Sequence, residues 1–94
     1  MKWIVTSTPH ANCTSVIGKH NFPGPVPKPI PDAEFPYEYR LLDGDGNEDL
    51  RGRCGNLDEA DEEQAFAPLD AFMGSWGCSI MEYRKVGTED WTEL

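Results

Sequence analysis

The chain has 94 residues, enough for one small domain that buries about 60 to 65 per cent of the surface its unfolded form exposes, and too few for a second core. Seventeen Asp and Glu residues against eight Lys and Arg give a formal charge of -9 and a pI near 4.4, which disfavours direct binding to DNA, RNA or an anionic membrane because like charges repel. Ten aromatic residues and a hydrophobic content of 38% exclude a wholly disordered chain, so residues 1–94 are expected to form a single folded domain.

The segment Trp3 to Thr8 is aromatic and β-branched and stops at Pro9, which predicts a first strand with Trp3 and Val5 on one face and Ile4 and Thr6 on the other. The apolar patch at its start is only three residues long, far short of a signal-peptide core or a membrane span, and the expected location is a cytoplasm. Ser15 to Gly18 reads as a second short extended piece. Pro23, Pro25, Pro27, Pro29 and Pro31 then fall at alternate positions. Lacking amide donors and holding their predecessors extended, they make residues 22–36 a stiff proline-rich connector, with Phe22, Val26, Ile30 and Phe35 as its anchors to the core. Proline-recognition grooves favour prolines three apart, and no pair within this run has that spacing.

Tyr37 to Leu41 alternates apolar and charged residues, as a strand with one buried face does, and runs into the turn sequence Asp43-Gly44-Asp45-Gly46-Asn47. The returning strand, Asp49 to Cys54, carries so much charge that it is expected at a sheet edge. Asn56 is placed to cap a short acidic helix from Leu57 to Phe66. Pro68 interrupts or restarts that helix, and Gly74 is placed to stop a further turn through Ala67 to Met73, whose Leu69, Phe72 and Met73 are expected in the core. Cys78 to Val86 predicts another strand, and a turn at Gly87 to Asp90 returns the chain as Trp91 to Leu94. These elements sum to an α+β domain: four to five strands in an antiparallel or mixed sheet, one short acidic helix and a proline-rich strap.

Catalytic chemistry finds little support. The two histidines and three cysteines form no nucleophile motif, no glycine-rich phosphate loop is present, and a domain of this size has little room for a substrate cavity, so the chain is read as a non-enzyme without a cofactor. Cys13, Cys54 and Cys78 are too widely spaced for a disulfide framework and are read as reduced thiols. Metal binding is the alternative. Asp43, Asp45, Asn47 and Asp49 at alternate positions resemble the start of an EF-hand calcium loop, but Glu48 stands where that loop needs glycine and Cys54 where it needs a bidentate glutamate. His10, Cys13, His20, Cys54 and Cys78 include zinc-ligand types without the spacing of a zinc motif.

The acidic residues themselves are the leading candidate. Nine of the twenty-one residues from Asp43 to Glu63 are acidic, and Asp58-Glu59-Ala60-Asp61-Glu62-Glu63 packs five carboxylates into six positions. Proteins that bind phosphates gain much of their affinity by releasing condensed ions, and an ordered carboxylate array competes for the same basic surface. The expected contact set is Asp43, Asp45, Asp49, Asp58, Glu59, Asp61, Glu62 and Glu63, held by a rigid sheet at phosphate-like separations. Trp76 and Trp91 are expected in the core or, where exposed, as apolar anchors beside the charge.

Tyr37 to Gly46, Phe66 to Phe72 and Gly77 to Arg84 resemble segments of small uncharacterised bacterial and prophage proteins. In size, charge and lack of motifs the chain is also similar to the anti-CRISPR inhibitors encoded by phages and mobile elements. That likeness implies a non-enzymatic inhibitor or adaptor whose partner is a basic, nucleic-acid-binding surface of a protein complex.

Overall fold

A computed structural model covering Met1 to Leu94 folds the chain around one antiparallel sheet of five strands. The strands are β1 (Trp3–Ser7), β2 (Tyr37–Leu42), β3 (Glu48–Cys54), β4 (Ile80–Lys85) and β5 (Thr92–Glu93), in the order β1-β3-β2-β4-β5. Two helices, α1 (Glu62–Ala65) and α2 (Ala67–Trp76), connect β3 to β4, and a short 3-10 helix covers Ala11–Val16. The architecture is α+β.

Period-two alternation divides the sheet into two unlike faces. Trp3 and Val5 of β1, Tyr37, Tyr39 and Leu41 of β2, Leu50 and Cys54 of β3 and Met81 of β4 belong to one buried cluster with Leu69 and Phe72 of α2. Phe72 meets the Trp3 ring edge-on at 5.7 Å, an arrangement the ring quadrupoles favour. Tyr39 is fully enclosed and donates its hydroxyl to the Ile4 carbonyl at 3.1 Å. Gly52 makes that approach possible, since a Cβ there would overlap the Ile4 carbonyl oxygen and the Tyr39 ring.

The opposite face is a lattice of charge. Arg40 reaches Glu82 at 2.7 Å, Arg84 reaches Glu38 at 2.7 Å, Arg51 reaches Glu48 at 2.8 Å and Arg53 reaches Asp32 at 2.7 Å. Trp91 lies over this lattice, 4.1 Å from the Arg84 guanidinium and 4.5 Å from that of Arg40, so it stacks on cations and is not a core residue. Exposed pairs contribute about 0 to 1 kcal/mol each; Arg40–Glu82 and Arg84–Glu38 join directly opposed residues of β2 and β4 and so favour the observed register.

Several local expectations are corrected. β3 is not an edge strand: it pairs with β1 on one side and β2 on the other, because Arg51 and Arg53 turn to the charged face and Leu50, Gly52 and Cys54 to the core. The piece around Ser15 is helical, closed by bonds from the amides of Cys13 and Ile17 to the carbonyls of His10 and Thr14. Extended pairing starts only at Gly18 and Lys19, which bond Val5 and cover the β1 edge. Asn56 caps a turn, accepting from the Asp58 amide at 3.0 Å, while the helix begins later under Asp61. The helical segment is two helices meeting at Phe66, with Pro68 tolerated in the first turn of the second. It runs through Gly74 and stops at Gly77, whose φ of 69° is the left-handed cap geometry glycine adopts without strain. Met73 is 46% exposed because Leu69 and Phe72 carry the buried stripe of that helix. The proline-rich segment is held at its end by buried Phe35, against which Phe22 packs at 5.8 Å.

Candidate functional site

Two places gather chemistry: an acidic ridge after β3, and a cleft between the 3-10 helix and the end of α2. The ridge starts where β3 leaves the sheet. Asp58 accepts a 2.6 Å hydrogen bond from the Tyr37 hydroxyl, and that bond, with burial, pushes the phenol up to about 12. Asp61 accepts from the Gln64 amide at 2.8 Å and so caps α1, where Glu62 and Glu63 fill the first turn beside the positive end of the helix. Glu59, Glu62 and Glu63 are exposed, and neither they nor Asp58 and Asp61 form a salt bridge. The local sequence explains this: no Lys or Arg lies between Arg53 and Arg84, and all four arginines are bound on the far face of the sheet.

The other members of the predicted contact set are placed elsewhere. Asp43 turns its carboxylate into its own loop, taking the amides of Asp45 and Asn47 at 2.9 Å each, and the Asn47 backbone bond leads the effects that hold it below the usual carboxylate range. Asp45 is exposed at the same turn. The seven residues of β3 separate this turn from the ridge by roughly 20 Å. The two acidic clusters are therefore not one array.

Asp49 is not on the acidic surface. Leu41 pairs with Leu50 and Leu42 with Glu48, which leaves Asp49 as the extra residue of a β-bulge. The bulge reverses the alternation: Glu48 goes out to Arg51, and Asp49 goes in, its side chain only 10% exposed. There its Oδ2 accepts from the Cys78 thiol at 3.3 Å and its Oδ1 lies 3.2 Å from His10 Nε2. Burial, reinforced by the Asp49 bond, pushes the Cys78 thiol up to about 12. His10 packs beside Trp76 with ring centroids 5.8 Å apart. With Asn12, Cys13, Ser15 and Ser75 these residues surround an open cleft of about 490 Å³. Nothing in the sequence announces this cleft, because a bulge has no residue signature here and His10, Asp49 and Trp76 are far apart along the chain.

No three His, Cys, Asp or Glu side chains are gathered in a metal-holding arrangement. His20 faces the carbonyls of Gly18 and Gly24, and Cys54 lies in the core with its thiol pushed up to about 12 by burial. No helix is long and apolar enough to cross a membrane. Comparison with protein-family models, curated proteins and solved structures finds no match to this chain.

Proposed function

We propose that the ridge from Asp58 to Glu63 is a docking surface for a basic patch on a partner protein, and that the domain acts in a cytoplasm as a non-enzymatic inhibitor or adaptor of the anti-CRISPR type. The partner surface is one that otherwise binds nucleic-acid phosphates. One observation carries this reading: five carboxylates in six residues stand on an ordered turn and helix start with no cation of the chain paired to them. Charges left in this state repel one another, and a partner that supplies counter-charge is attracted over a Debye length and gains from relieving that repulsion. The buried thiols of Cys54 and Cys78, both uncharged at neutral pH, lend no support to nucleophilic catalysis.

The structure decides which carboxylates a test should change. Asp58 holds Tyr37 and Asp61 caps α1, so both stay; Glu59, Glu62 and Glu63 have no structural partner. Tagged protein is used to capture partners from bacterial lysate at low salt, with elution in salt steps. The wild type is expected to retain a nucleic-acid-binding complex that salt or competing DNA releases, and E59K/E62K/E63K to lose it while keeping the circular-dichroism spectrum. Undiminished capture by the triple variant overturns the reading.

A further inference from the structure

Asp49 is the one buried carboxylate of the molecule, and the fold takes a special step to put it there. Without the bulge, the alternation set by Leu50, Gly52 and Cys54 would send position 49 to the charged face, among arginines. The bulge sends it instead to a place where its side-chain partners are a protonated thiol and a histidine that is itself 46% exposed. A buried charge needs a paired opposite charge or several hydrogen bonds. A carboxylate has about four acceptor positions, and two side-chain contacts leave acceptor capacity unused.

The surroundings are of one kind. The cleft above Asp49 contains no lysine or arginine; beside the His10 ring, which already meets Asp49 Oδ1, its polar groups are the amide of Asn12, the thiol of Cys13 and the hydroxyls of Ser15 and Ser75. Trp76 offers an indole face, the aromatic surface that attracts cations best. At about 490 Å³ the volume falls in the range of small-ligand sites. We propose that this cleft binds an organic cation, a guanidinium or alkylammonium head on an apolar stem, with the head on Asp49 and the stem along Trp76. Both a free amine and an arginine or lysine of a bound protein present this chemistry. The site stands independently of the acidic ridge, which lies at the other end of β3.

The test titrates isotope-labelled full-length protein with N-acetyl-arginine methylamide and, as control, the alanine analogue, while amide and indole resonances are followed. The expected result is saturable shifts at the Trp76 indole and residues 10–16 for the arginine probe alone, with binding about tenfold weaker in D49N. The exposed Ser75 supplies a variant that leaves the core untouched: S75R places a guanidinium of the chain's own in the cleft and is expected to block the probe. Absence of saturable shifts, shifts confined to residues 58–63, or equal affinity in folded S75R each overturns the proposal. E59K/E62K/E63K is expected to bind the probe as the wild type does, so loss of partner capture and loss of cation binding are read separately. Partner capture by S75R then identifies the source: its loss assigns the cation to the partner, and its retention to a free ligand.

Discussion

The three thiols of this small domain fall into two chemical classes. Cys54 and Cys78 are buried and Cys13 is half-buried at the cleft. Only the thiolate is nucleophilic, and burial holds Cys54 and Cys78 protonated until about pH 12. A chromogenic thiol reagent is therefore expected to modify Cys13 quickly at neutral pH and the other two only after denaturation; three equal rates would contradict the packing. The same shifts set an alkaline limit. An acid whose folded pKa lies above its unfolded value binds its proton more tightly in the fold, so its stabilisation is complete below the unfolded pKa and disappears as pH rises through the folded one. For both thiols that window runs from about 9 to about 12, and for Tyr37 from 10 to about 12. Melting temperature is expected to hold up to about pH 9 and fall above it. Asp43 works in the opposite sense: its depressed pKa stabilises the fold above the ordinary carboxylate range, and the contribution is lost on acidification.

Among the elements, α1 is the one most dependent on a single side chain. Four residues cannot sustain a helix on propensity, so the Asp61 cap and the junction with α2 hold it. D61A is expected to cost about 1 kcal/mol, read as a lower denaturant midpoint with unchanged slope, whereas E62Q at the neighbouring position costs a few tenths at most. How far each element was legible follows the same logic. β2 and β4 declare themselves because alternation is a local signal and the sheet leaves it intact. β3 reads as an edge because its charges are visible in the sequence, while Asp32, which takes Arg53, and Trp91, which stacks on Arg51, lie outside the strand, and only Glu48 is supplied by β3 itself. The helix starts five residues later than the sequence suggests, since Asn56 and Asp61 are equally good caps and only tertiary position selects Asp61. Of the candidate site, the ridge was legible because it is contiguous. Asp49 was not, because its orientation depends on a register shift between β2 and β3 that no residue in either strand marks.

At the scale of the whole molecule, charge is partitioned between two environments that respond oppositely to salt. On the outer sheet face the arginines and their carboxylate partners attract, and added salt weakens them. Elsewhere Asp45, Asp58, Glu59, Asp61, Glu62, Glu63 and Asp70 carry unpaired charge, and salt relieves their repulsion. The longest dimension of the domain is 32 Å, about one Debye length at 0.01 M salt and four at 0.15 M. At low salt every unpaired carboxylate thus acts on every other, and at physiological salt only close neighbours interact. Because exposed pairs are worth about 0 to 1 kcal/mol while the excess charge is -9, relief of repulsion should prevail. The melting temperature is expected to rise between 0.01 M and 0.15 M sodium chloride. E59Q/E62Q/E63Q should start higher at low salt and rise less, since it removes three unpaired charges from the densest acidic run of the chain without touching a hydrogen bond. A wild-type melting temperature that falls with salt would mean that the arginine lattice dominates the electrostatics, and that the ridge carries too little strain for a cationic partner to relieve.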